Sequence, residues 1–145
     1  MATTKIPPIN FHFPRAFALS GRRELKAFLI GIFRKEKTQL ASLNYIFCSD
    51  EYLLGINQQY LRHNYFTDII TFNLAGKTEP VSGEIYISVD RVKDNSKTLG
   101  VPFKEEIHRV IFHAVLHLCG YKDKTASEKR VMRQKEDYYL RQFLG

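Results

Sequence analysis

The chain is organised around the stretch Ile111-Phe112-His113-Ala114-Val115-Leu116-His117-Leu118-Cys119-Gly120-Tyr121-Lys122-Asp123. With Ile107, Val110, Ile111, Ala114 and Leu118 recurring at helical spacing, this region predicts a long central helix over about residues 103–119. At about 100° per residue, His113 and His117 share one flank of that helix, bordering the apolar stripe without entering its middle. Gly120 provides a stop, and a chain turning back there can carry Asp123 over the helix end. Two imidazoles at i and i+4 with a carboxylate make a ligand set for one divalent ion, with positions left for water. Such an ion lowers the pKa of a water and polarises carbonyl or phosphoryl oxygens, so hydrolysis is the chemistry expected. A second reading stays open: Lys122 or Lys124 could hold Asp123 in an ion pair, or both could lie outward and attract phosphate.

Neighbouring residues bound this reading. The zinc-protease helix motif carries a glutamate directly after its first histidine as general base; here that position is Ala114, so a protease of that type would lack its base. Cys119 points to another side of the helix and is not counted as a ligand. Glu106 shares the histidine flank but lies two turns away, roughly 10 Å by helix rise, as an outer support or a substrate-facing group. His12, His63 and His108 read as surface or boundary residues, although His63, in a polar turn, could approach the site.

Working outward, residues 1–19 combine Pro7, Pro8 and Pro14 with alternating Ile9, Phe11 and Phe13, the pattern of an edge strand or extended arm. Leu25, Phe28, Leu29, Ile32 and Phe33 predict a helix over 21–36, and alternation over 40–48 a strand. Ser49-Asp50 caps a helix ending near Leu61, with Tyr52, Leu53, Ile56 and Tyr60 as its apolar stripe. Residues 68–74 and 84–88 are β-branched and aromatic and predict neighbouring strands. A short helix over 89–99, broken by Gly100-Val101-Pro102, precedes the central one. A last helix over 126–143 turns Met132, Tyr139, Leu140 and Phe143 inward. No repeat or linker divides the chain, so residues 1–145 read as one domain of about four strands and about five helices, with the metal site at the end of the central helix.

The 145 residues are 44% hydrophobic and 13% aromatic, with five prolines and eight glycines, which excludes a disordered or fibrous chain. Cys48 and Cys119 sit among apolar neighbours and read as buried thiols of a reducing compartment. With no signal peptide and no run of about 18 apolar residues, a cytoplasmic location off the membrane is expected. Lys+Arg of 22 against Asp+Glu of 15 gives +7, which favours a polyanionic partner, nucleic acid being the commonest.

The segment from His113 to Asp123 resembles the signature of the YbeY family of rRNA maturation factors: histidine, glycine, any residue, Leu-His-Leu, any residue, Gly-Tyr-Asp-His. Asn57, Tyr60 and Thr67-Asp68-Ile69-Ile70-Thr71-Phe72 resemble a second family block, Gly83-Glu84-Ile85-Tyr86-Ile87-Ser88 a third, and Met132 and Glu136 also fit. The resemblance covers roughly residues 40–140. It implies an α+β fold, a mixed sheet of about four strands packed with about five helices, and a metal-dependent single-strand endoribonuclease that processes the small-subunit rRNA 3′ end and serves ribosome quality control. The ribosome or small subunit and its assembly factors would be partners, the metal usually zinc, and no organic cofactor is expected. The alternative is a ribosome-associated RNA-binding assembly factor with a structural metal and little nuclease activity. Three departures matter. Asp123 stands where the family has its third histidine, giving a harder His-His-Asp set that would tolerate Mn2+ or Mg2+ beside Zn2+. Ala114 replaces a helix glycine, which favours the helix. Leu61 occupies the place of the family's functional arginine, with Arg62 one residue later; Arg62, Lys122 and Lys124 are the candidate RNA contacts.

Overall fold

The computed structural model describes residues 6–145. In chain order the elements are β1 (Ile9–His12), α1 (Arg22–Lys35), β2 (Leu40–Cys48), α2 (Asp50–Leu61), β3 (Ile69–Asn73), β4 (Val81–Ser88), α3 (Val89–Leu99), α4 (Phe103–Leu118) and α5 (Ala126–Leu144). The strands form one mixed sheet in the order β1-β2-β4-β3. The β1–β2 and β2–β4 pairs are parallel, and β3 runs antiparallel to β4 at the free edge. This is the α+β architecture that the resemblance implies, with the four strands and five helices that the sequence pattern predicts.

Period-2 alternation gives the sheet two unequal faces. Leu43, Tyr45 and Phe47 of β2 and Ile85 and Ile87 of β4 share one buried cluster with Leu25, Leu29, Ile32 and Phe33 of α1, Ile107, Ile111 and Val115 of α4, and Met132, Tyr139 and Leu140 of α5. The opposite face carries a smaller cluster in which Cys48 and Ile70 pack with Leu53 of α2, flanked by Ile46, Phe72 and Tyr86. Ten of the sixteen residues of α4 are buried, so the helix is covered nearly all round and cannot be an ordinary surface helix. The buried Tyr45 hydroxyl donates to the Ile111 carbonyl at 3.0 Å, tying α4 to the middle of the sheet. Further along, Leu118 lies over Gly83, where an added Cβ would come within 2.8 Å of Leu118 Cδ1 and 2.6 Å of Leu43 Cδ2. The end of α4 therefore rests directly on strand backbone.

Five expectations need correction, the first being His108, which reads as a surface or boundary residue but is buried in α4. The stripe assigned to α2 is not buried as a stripe: Leu53 and the polar Asn57 are the buried residues, while Tyr52 and Tyr60 are 53% and 61% exposed. The helix covers only part of the sheet's second face, and its tyrosines lean on Tyr86 and Phe72 at its margin. β4 starts at Val81 and not at Glu84, because parallel pairing with β2 carries Ser82 and Gly83, which have no strand preference of their own. Of the two readings of Glu106, burial removes the substrate-facing one and leaves the outer support; burial raises its pKa, with Arg109 opposing. Of the two free cysteines, Cys48 is buried but Cys119 only partly so; burial pushes their thiols up to about 12 and about 11.

Candidate metal centre

The two histidines stand on the last two turns of α4, where the helix emerges from its apolar surroundings. Cys119 ends the helix and Gly120, at φ +102°, turns the chain in a conformation that suits glycine. The reversal brings Asp123 back over the helix end: its Oδ2 lies 3.3 Å from His113 Nε2 and 3.4 Å from His117 Nε2. One ligand atom from each residue lies within 4.8 Å of the others, close enough for all three to hold a single metal ion. Among the described residues no lysine pairs with Asp123, so the ion-pair reading of Lys122 and Lys124 gives way to a carboxylate turned toward the imidazoles. Both lysines are exposed on either side of it.

The other ring nitrogens are committed. His117 Nδ1 lies 2.9 Å from the Tyr121 carbonyl, which can only accept, so Nδ1 carries the proton. His113 Nδ1 lies 2.6 Å from Glu136 Oε2 on α5. Burial works against a charge on His113, but the Glu136 hydrogen bond and carboxylate outweigh it and raise its pKa. In the neutral tautomers both Nε2 lone pairs thus face a carboxylate oxygen with no proton between them. That arrangement is repulsive by itself and relieved by a cation, and nitrogen ligands whose far N–H is held by carboxylate or carbonyl are the usual form of a metal-binding histidine. The donor set present therefore fits a divalent ion.

Glu136 is itself fixed. Its Oε1 accepts from Arg109 at 3.0 Å, and Arg109 also reaches Asp137 at 2.8 Å. On the other side, Glu36 at the end of α1 accepts hydrogen bonds from Tyr121, Lys135 and Tyr139. Burial alone would raise its pKa; these donors prevail and hold it below its ordinary value. The residues supporting the ligands thus come from α1, α4, α5 and the turn after α4.

His113, His117 and Asp123 line a cleft of about 560 Å³, whose walls also include Asn57, Leu61, His63, Tyr65, Asp68, Thr71 and Asn73. Ser88 N–H donates to Asp68 O and Leu74 N–H to Ser82 O, which fixes the ladder phase. The backbone groups of Ile69, Thr71 and Asn73 consequently turn away from β4, along the free edge lining the cleft. Arg62 does not line the cleft. The helix ends at Leu61 and Arg62 takes the left-handed conformation at φ 57°, exposed between two lining residues. His63, by contrast, does line it.

Three cleft or support residues escaped assignment from sequence. Glu136 had a legible signal, a carboxylate on the same face of α5 as Met132, Tyr139 and Leu140. Asp68, whose pKa is raised by burial against the pull of His113, opens an apolar strand, and Tyr65 lies in a turn that reads simply as polar. Neither announces a role by spacing.

Comparison with known proteins agrees with this architecture. The family model described as endoribonuclease YbeY matches residues 20–144. A protein of Cytophaga hutchinsonii named endoribonuclease YbeY is 51% identical over 124 residues, 86% of this chain and 87% of that one. Its namesake in Flavobacterium johnsoniae is 43% identical over 135 residues, 93% and 96% of the two chains. A Thermotoga maritima protein solved in solution superposes with a TM-score of 0.63 at 26% identity, covering 92% of this chain and 86% of that one.

Proposed function

The chain belongs to the YbeY endoribonuclease family, and from that premise we propose that it is a metal-dependent single-strand endoribonuclease of rRNA maturation. The observation that carries the metal dependence is the convergence of His113 Nε2, His117 Nε2 and Asp123 Oδ2 at the cleft floor. These three residues would hold the ion, which when bound supplies Lewis acidity to a phosphodiester oxygen and acidifies water. Glu136 and the Tyr121 carbonyl keep the Nδ1 protons in place, so both imidazoles present their lone pairs to the cleft. Two nitrogens and one carboxylate oxygen suit Zn2+ and extend to Mn2+ or Mg2+. Arg62, Lys122 and Lys124, all exposed, would meet the RNA backbone. Processing of the small-subunit rRNA 3′ end, ribosome quality control, and partnership with the ribosome and its assembly factors in the cytoplasm follow from the family reading. Among the described residues no helix is long and apolar enough to cross a membrane.

Elemental analysis and cleavage assays test the proposal together. His117→Ala and Asp123→Ala should each lose bound metal; unchanged stoichiometry would remove that residue from the ligand set. Wild type should cut single-stranded rRNA fragments and His113→Ala prepared in parallel should not. Equal cleavage by both would point to a contaminating nuclease. Salt-sensitive binding without cleavage would instead favour an RNA-binding assembly factor.

A further inference from the structure

Of the nine large apolar side chains left exposed among the described residues, four lie in one seven-residue stretch: Tyr60, Leu61, Tyr65 and Phe66. Isolated exposed apolar residues need no explanation, but a cluster at the mouth of a cleft does. The stretch is held in place. Asn57, 1% exposed, donates from its side chain to the Tyr65 carbonyl at 2.9 Å, and its own carbonyl accepts from His63 N–H at 3.1 Å. Gln58 donates to the Asn64 side chain at 2.5 Å. The Tyr65 ring lies on the His63 ring with centroids 5.1 Å apart and 20° between planes, and its hydroxyl meets His63 Nδ1 at 2.9 Å. Tyr65 nonetheless remains 57% exposed and lines the same cleft as His113, His117 and Asp123. A buried amide thus fixes an aromatic ring that contributes little to the core.

We infer that Tyr65, backed by His63, is a stacking platform for an unpaired base of single-stranded RNA whose backbone runs into the metal cleft. This rests on the ribonuclease reading above and adds how the cleft tells single strands from duplex. A base inside a duplex has both faces covered by its neighbours and cannot offer one to the tyrosine, whereas an unpaired base can be splayed onto an aromatic ring. Stacking ignores base identity because every base has a π-face, so the platform selects strandedness more than sequence. Tyr65 is a positioning residue in this account and takes no part in the chemistry.

The test uses a short single-stranded RNA containing 2-aminopurine, whose fluorescence is quenched on stacking, and a duplex of the same sequence. Binding is read with His117→Ala, which should not cut the RNA, alone and combined with Tyr65→Ala, Tyr65→Phe or Tyr65→Leu; cleavage is read with the otherwise wild-type chain. Tyr65→Ala should weaken single-strand binding by roughly 5- to 100-fold, abolish the quenching, and raise KM with little change in kcat. Tyr65→Phe should restore quenching and most of the affinity, while Tyr65→Leu, apolar but not aromatic, should restore neither. Unchanged melting temperatures exclude a folding defect. Binding and quenching that survive in Tyr65→Ala, or full restoration by leucine, would overturn the platform. Quenching that depends on Tyr65 in a protein that never cleaves RNA would leave the platform standing and overturn the nuclease reading.

Discussion

Glu136 supports the proposed ligand His113, because one carboxylate holds both the histidine's Nδ1 proton and the buried Arg109. Glu136→Gln keeps the shape but removes the charge, and should weaken metal binding about 10- to 100-fold, measured by competition with a chelating indicator. Asp68 presents a different case. Its carboxyl is in the cleft wall, has no ion-pair partner within 4 Å among the described residues, and has its pKa raised by burial. If it moves a proton during cleavage, Asp68→Asn should lower kcat about 10²- to 10⁴-fold while elemental analysis finds the metal unchanged; full activity would remove it from the chemistry. At this scale the sequence was legible for His113, His117 and Asp123, since a helix and one turn suffice to bring them together. It was much less so for Asp68 and Tyr65, whose positions depend on how a strand edge and a loop close against a helix far away in sequence.

The position of α4 depends on a residue it does not contain. Leu118 rests on Gly83 of β4, and a Cβ there would collide with both Leu118 and Leu43. Gly83→Ala should cost about 1–3 kcal/mol by overpacking, seen in denaturant melts. It should also weaken metal binding, because His117 immediately precedes the displaced leucine; loss of stability with full metal affinity would show that the helix end adjusts without moving its ligand. Element boundaries were readable from the sequence where local punctuation marked them, as Ser49 caps α2 and Gly100 closes α3 at φ +68°; Ser88 on α3 and the capping box of Thr125 and Glu128 on α5 are further local signals that the structure brings out. Two features were not readable: the start of β4, which pairing with β2 extends back to Val81, and which face of α2 is buried. Its residues show a helical stripe, but helical spacing says nothing about how much sheet lies beneath, and here α2 overlies only part of it.

For the molecule as a whole, His108 contributes to how stability depends on pH. Its Nδ1 donates to the Lys104 carbonyl at 2.7 Å, while the buried Nε2 has no partner. Burial lowers its pKa below the ordinary 6.5, with the Lys104 carbonyl opposing. Below pH 6.5 the unfolded chain therefore binds a proton that the folded chain refuses, and stability falls as pH drops, by up to about 1.4 kcal/mol per pH unit. His108→Phe, beside Phe112 and Phe143, should flatten that part of the acid limb in chemical denaturation at pH 5–7; an unchanged slope would place the protonation elsewhere. The support of His113 also has a consequence in time. Glu136 belongs to α5, which is synthesised after the sheet and after the helix bearing both histidines. While α5 is still being made, His113 lacks its proton acceptor and Arg109 its two carboxylates. A nascent chain can fold its sheet early, but the candidate metal centre gains the carboxylate that supports His113 only when α5 docks, so the proposed site lacks that support through most of the chain's own translation.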